Sequence, residues 1–255
     1  MFNLNQHLNA LRTALHFLTV IPVGRIDSQD KGAAGLSVLY YPVVGVLLGF
    51  LLAVFAWFVQ TVLSIYSLQL LLLAALVLGL WVVLTGALHV DGLADSGDGW
   101  LGGWGSKSRT LELMADPAST PKGVSVVGLV LLIKFSALVV LLGNASLWLL
   151  LIAPFIARLG VLALIMTTPS VAQNEDNLSK RLPRPASSIV LAVAISLFVV
   201  VNITTAIPVL IAAGATLLIL RWMMMARLSG CTGHTLGATI ELLEAAVLVV
   251  LVALL

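Results

Sequence analysis

Leu68-Gln-Leu-Leu-Leu-Leu-Ala-Ala-Leu-Val-Leu-Gly-Leu-Trp-Val-Val-Leu-Thr-Gly-Ala-Leu-His-Val90 runs for 23 residues without one Asp, Glu, Lys or Arg. The hydrocarbon core of a bilayer is about 30 Å thick, so a helix rising about 1.5 Å per residue needs about 20 apolar residues to cross it. The run therefore predicts a membrane-spanning helix, and the rest of the chain follows the same pattern. Six more apolar stretches stand out: Leu36–Val59, Val124–Leu142, Leu147–Thr168, Ser188–Val201, Ala206–Leu220 and Ile240–Leu255. Ser188–Val201 and Ala206–Leu220 are short and separated only by residues 202–205, which fits either a helical hairpin or one broken helix. Residues 1–23 set Leu8, Leu11, Leu15 and Leu18 beside His7, Arg12 and His16, which fits an interfacial or re-entrant helix better than a full span. The expected fold is an all-α polytopic membrane helix bundle of about seven transmembrane helices, one integral membrane domain covering residues 1–255.

Composition supports this. Of 255 residues 60% are hydrophobic and only 9% charged, with a mean hydropathy of +1.13. A soluble domain carries about 25% charged residues. The net charge of +2 gives no reason to expect nucleic acid as a partner. With Cys231 as the single cysteine, no intrachain disulfide can form. The apolar stretch Ala14–Val23 contains His16 and lacks a basic segment ahead of it, so it does not read as a signal peptide.

The loops orient the bundle. Arg25, Lys31, Lys107, Arg109, Lys122, Lys180, Arg181, Arg184, Arg221 and Arg227, ten of the thirteen basic residues, fall in alternate loops. The intervening loops 60–67, 143–146 and 202–205 contain no charge. The positive-inside rule then places the basic loops in the cytoplasm. This predicts a multi-pass protein of a bacterial or archaeal cytoplasmic (inner) membrane, with its polar chemistry facing the cytoplasm.

The second span runs into His89-Val-Asp-Gly-Leu-Ala-Asp-Ser-Gly-Asp98. Asp91, Asp95 and Asp98 lie at i, i+4 and i+7, on one helix face with neighbouring Cβ atoms about 5–6 Å apart. Three such carboxylates repel one another, and near a membrane they are costly without a cation. Oxygen ligands with no thiolate favour Mg²⁺, Mn²⁺ or Ca²⁺ over zinc. Gly92, Gly97 and Gly99 offer a backbone surface for a bulky ligand. A solvated helix end carrying three unrelated acids is the plain alternative. Asp116, before Pro117, fits either a further metal ligand or a turn aspartate. Lys134 and Arg158 lie deep in the third and fourth spans, where cations usually have a partner. A substrate phosphate or the aspartate cluster would serve, and snorkelling is the alternative. The segment Thr232-Gly-His-Thr-Leu-Gly-Ala238 is small and hydroxyl-rich at a helix start. It suits either contact with an anionic ligand through Thr232, Gly233 and Gly237 or tight helix packing. Metal and cations together point to transfer of a phosphoryl-linked group, with an aspartate taking the proton of the attacking hydroxyl.

These motifs, in this order, resemble the cobalamin synthase (adenosylcobinamide-GDP ribazoletransferase) family over essentially the whole chain. Phe17-Leu-Thr-Val-Ile-Pro22 is similar to the family's FLTRIPV-type segment, and Tyr41-Pro-Val-Val-Gly45 with Gly49 to its YPLVG-x₃-G. His89–Asp98 matches H-x-DGLAD-x-x-D, Leu111–Pro117 resembles LEIMKDP, and Thr232–Ala238 with Glu241 and Glu244 resembles TGDTLGA and the following helix. The resemblance implies attack by a ribose hydroxyl of α-ribazole, or its 5′-phosphate, on the cobinamide-linked phosphorus of adenosylcobinamide-GDP. GMP leaves and adenosylcobalamin, or its 5′-phosphate, forms. It also implies Mg²⁺ held by Asp91, Asp95, Asp98 and Asp116, with one of them assisting proton removal. The chain departs from the pattern at His234, where the family has an aspartate, at Ala115, where it has a basic residue, and at Asn177–Ser179, where it is glycine-rich. The first departure implies an imidazole that replaces the carboxylate, an impaired site or a substituted variant. A homo-oligomer is compatible with the sequence, which fixes no stoichiometry.

Two other readings compete. The D-G-x-x-A core echoes CDP-alcohol phosphatidyltransferases acting on lipid, but Asp95 stands where their arginine belongs. A cation or solute transporter would need polar groups on both membrane sides or paired broken helices, and the uncharged outer loops oppose it.

Overall fold

The computed structural model describes residues 4–24, 31–63, 69–144, 146–171 and 178–255. Arg25, Leu68 and Asn177, used in the sequence reading, lie outside them. The described residues form helices α1 (Leu4–Leu18), α2 (Lys31–Ser37), α3 (Tyr41–Leu63), α4 (Leu70–Leu84), α5 (Leu88–Gly102), α6 (Lys107–Met114), α7 (Pro121–Gly143), α8 (Ile152–Thr167), α9 (Leu178–Arg181), α10 (Arg184–Val201), α11 (Ala206–Leu228) and α12 (Gly233–Ala253). Short 3₁₀ turns precede α3 and α8. Six of the resulting segments are long and apolar enough to cross a membrane, and a seventh is added if α4 and α5 count as one bent span. The chain is thus an all-α, multi-pass membrane protein.

The bundle is built around α8 and α12. Apart from Arg158 the α8 sequence is apolar or small through Met166, and the helix is largely enclosed: Ala153, Ile156, Ala157, Leu159, Val161 and Leu162 are all sealed. α12 packs on α5, α7, α8 and α11, while α3 lies along α8, and α4 along α3 and α7. α10 and α11 sit outside, with only 11% and 17% of their apolar windows buried. Residues 202–205 form the turn between these two separate helices, each long enough to span on its own, which rules out one broken helix. α11 continues through Arg221 to Leu228, and the last span starts at Gly233, seven residues before the apolar run suggests.

The second span departs from expectation. It does not run unbroken to Val90: α4 ends at Leu84, and α5 leaves α4 at 87°. Gly86 and Ala87 both take left-handed backbone, at φ +60° and +54°. Gly86 N–H donates to Val83 O and Ala87 N–H to Val82 O, both at 2.9 Å. This paired closure of the last helical carbonyls is a glycine-dependent helix stop. The freed Leu84 carbonyl accepts from Val20 N–H at 2.8 Å. Residues 19–24, which follow α1 without helical structure, therefore dock on the break, which gives the Phe17–Pro22 motif a structural task. The N-terminal region is accordingly a helix, α1, followed by this docked strap.

Candidate active site

The break turns α5 across the bundle, so its acidic residues sit within a helix rather than at the frayed end of a span. His89 and the stretch Gly92–Gly99 are buried, whereas Asp91 is exposed. α5 crosses the first turn of α12 closely enough that a Cβ on Gly92 would lie 2.8 Å from the carbonyl oxygen of His234. Gly97 and Gly99 are likewise covered, by α7 and α6 respectively. The three glycines thus let the helices approach closely, and Gly92 also lies in the wall of the cavity formed at this crossing.

Where α5 and α12 cross, a cavity of about 360 Å³ opens between Phe17, Tyr41, His89, Asp91, His234 and Gly237. Gly92, Gly233, Val161 and Ile240 are also in its wall. Asp95 stands behind it, its Oδ2 2.6 Å from Nδ1 of His234. The imidazole is 43% exposed and the carboxylate 12%, so the pair sits at an accessible wall. Thr232 is engaged at the start of its own helix. It caps α12, with Thr235 N–H donating to its Oγ1 and Thr235 Oγ1 accepting from its N–H.

The three aspartates have different surroundings. Asp98 anchors α7: it accepts from Thr120 N–H and Gly123 N–H, each at 2.7 Å, and from the Thr120 hydroxyl. A carboxylate at a helix N-terminus satisfies orphaned N–H groups and opposes the positive end of the dipole. Asp116 is exposed in the α6–α7 loop, where its Oδ1 accepts from Ala118 N–H at 2.9 Å, the turn alternative of the sequence reading. Among the described residues no three His, Cys, Asp or Glu side chains are grouped so as to hold a metal ion by themselves. Asp91 is the carboxylate left in the cavity wall, and Asp95 adjoins it through His234.

Lys134 and Arg158 call for a correction. Both are fully sealed, and neither meets a phosphate-accessible surface or the aspartates. Their partners are Glu241 and Glu244 on α12. Lys134 Nζ lies 2.8 Å from Glu241 Oε2 and 2.6 Å from Glu244 Oε2, and Arg158 Nη1 pairs with Glu244 Oε1. Lys134 also sits 4.3 Å from the centre of the Trp81 ring on α4. Two cations and two anions balance, and the network ties α4, α7, α8 and α12 together at mid-bundle. The sequence held the signal: two cations inside spans, and two glutamates three residues apart in another span, must find each other where no water can.

Other polar side chains gather at the same end of the bundle. Arg227 donates to Gly103 O and Arg221 to Thr167 O. Cys231 is buried beside Leu164 and Met224, and burial pushes its thiol up from the usual range, so it is an inert packing residue.

The cobalamin-5-phosphate synthase family model matches residues 10–252. An adenosylcobinamide-GDP ribazoletransferase of Stutzerimonas stutzeri is 45% identical over 241 residues, covering 94% of this chain and 96% of that protein. Its namesake in Pseudomonas syringae is 45% identical over 242 residues, covering 93% and 96%. That of Pseudomonas aeruginosa is 42% identical over 253 residues, covering 97% and 99%. No solved structure matches.

Proposed function

The chain belongs to the cobalamin-5-phosphate synthase family, and on that footing we propose that it joins adenosylcobinamide-GDP to α-ribazole, or to α-ribazole 5′-phosphate, with release of GMP. The observation that carries the reading is that Asp91 and His234 line one cavity at the α5–α12 crossing, with Asp95 hydrogen-bonded to His234 from behind.

In the reaction a ribose hydroxyl attacks the cobinamide-linked phosphorus. The new O–P bond replaces the bond to GMP, and the hydroxyl proton passes to a base. Asp95 fixes His234 through Nδ1, which leaves Nε2 to accept that proton. This is how an imidazole takes the place of the family's aspartate. Asp91 and the second oxygen of Asp95 would hold Mg²⁺ together with substrate phosphates, since this ion typically takes only one or two protein carboxylates. The ion would supply charge neutralisation at the diphosphate and the departing GMP. Asp98 contributes by fixing α7 against α5. The cavity takes the diphosphate end of the substrate, and the corrin remains outside it. The site faces the cytoplasm of a bacterial or archaeal inner membrane, as the basic loops argue.

The test is GMP release by purified protein in lipid nanodiscs, compared for wild type, Asp91→Asn and His234→Gln. Both substitutions are expected to lower kcat at least about a hundredfold, in the range of lost general-base or metal assistance. Wild-type turnover retained by both refutes the assignment.

A further inference from the structure

The buried network has an unfinished edge. Arg158 uses Nη1 on Glu244, but its Nε and Nη2 are sealed and have no hydrogen-bond partner. His89 is in the same condition: it is 3% exposed, lies within electrostatic reach of Arg158, Glu244 and Lys134, and its Nε2 is sealed without a partner. Yet His89 also lines the cavity with Asp91 and His234. It thus lines the site while lying within electrostatic reach of the intramembrane charges.

Arginine has donors only. Whatever meets its free N–H groups must accept, and a buried water with two to four polar partners is the usual solution. Such a water, taking a hydrogen bond from Arg158, has its own hydrogen to give to His89 Nε2. That makes Nε2 the acceptor, and the neutral ring then carries its proton on Nδ1. A donor at the cavity, beside the start of α12 at Gly233 and Gly237, suits an oxygen bearing negative charge.

We infer that His89 donates from Nδ1 to a phosphoryl oxygen of the substrate in the cavity, with its ring held through buried water by Arg158. This rests on the transferase reading above. His89 touches substrate, and Arg158 is a positioning residue acting through it.

The amide of Asn reproduces a donor at the Nδ1 position, and that of Gln one at the Nε2 position. His89→Asn, His89→Gln and His89→Leu are therefore compared in nanodiscs, with unphosphorylated α-ribazole as acceptor, so that the only phosphates belong to adenosylcobinamide-GDP. Loss of one charge-assisted hydrogen bond is expected to raise KM for adenosylcobinamide-GDP about tenfold or more in the Gln and Leu variants. The Asn variant should stay within about threefold of wild type, and KM for α-ribazole should hold within about twofold in all three. Wild-type KM in His89→Leu overturns the inference, as does rescue by Gln but not Asn. Failure of all three to fold also overturns it, by making His89 a packing residue. Wild-type protein that releases no GMP contradicts the transferase reading instead.

Discussion

Glu244→Gln removes one charge and almost no volume from the middle of the bundle, and its cost can be worked from the network. Glu244 serves two cations, Lys134 at 2.6 Å and Arg158 through its other oxygen. Lys134 keeps Glu241 at 2.8 Å when Glu244 is neutralised. No other ion pair to Arg158 exists among the described residues, and two of its nitrogens already lack partners. Leaving a sealed cation without its anion costs about 3–5 kcal/mol. Glu241→Gln leaves Lys134 paired with Glu244, so it should cost less, about 1–3 kcal/mol. The double change Lys134→Met with Glu241→Gln removes one charge of each sign and retains the Arg158–Glu244 pair. It should therefore cost less than the two single changes added together, by a coupling of about 1 kcal/mol or more. Reversible unfolding in mixed micelles, titrated with dodecyl sulfate and followed by helical circular dichroism, measures all four. The reasoning fails if Glu244→Gln costs no more than Glu241→Gln, or if the double change is additive.

Three further outcomes follow from the same geometry. Asp98→Ala strips three acceptor contacts from the start of α7 and should cost about 2–4 kcal/mol. Amide exchange should speed up at residues 120 and 122–124, and Mn²⁺ binding should be left nearly unchanged, whereas Asp91→Asn should weaken that binding. Gly92→Ala puts a Cβ 2.8 Å from a backbone oxygen of α12, an overpacking worth about 1–3 kcal/mol, and thermal unfolding should show it together with reduced turnover. His234→Asp adds a carboxylate where an imidazole now pairs with Asp95. One extra charge about 5 Å from a divalent ion in a water-like dielectric is worth about 1.7 kcal/mol, so calorimetry with Mn²⁺ should show roughly 15- to 20-fold tighter binding.

The membrane class was legible because hydropathy reports directly on the solvent of each helix. The break in the second span was not, because Thr85-Gly86-Ala87 is as compatible with lipid as its neighbours. Only the left-handed requirement at Gly86 distinguishes it, and a glycine in a membrane helix carries little information by itself. The acidic motif was visible from spacing, but spacing places three aspartates on one face without saying what each face meets. Asp98 met the amides of α7, and Asp95 met His234, which lies 139 residues away. Lys134 and Arg158 were recognised as unusual for a sound reason, the cost of charge in a membrane. Their partners were missed because Glu241 and Glu244 begin an apolar stretch by sequence, yet lie well inside α12 once that helix starts at Gly233.

The central claim is the transfer itself. Wild-type protein in nanodiscs should convert adenosylcobinamide-GDP and α-ribazole to adenosylcobalamin and GMP in equal amounts, followed by chromatography with mass detection. Both products should depend on α-ribazole and on Mg²⁺, and both should disappear with EDTA. GMP without adenosylcobalamin, or neither product from folded protein supplied with Mg²⁺, would contradict the account.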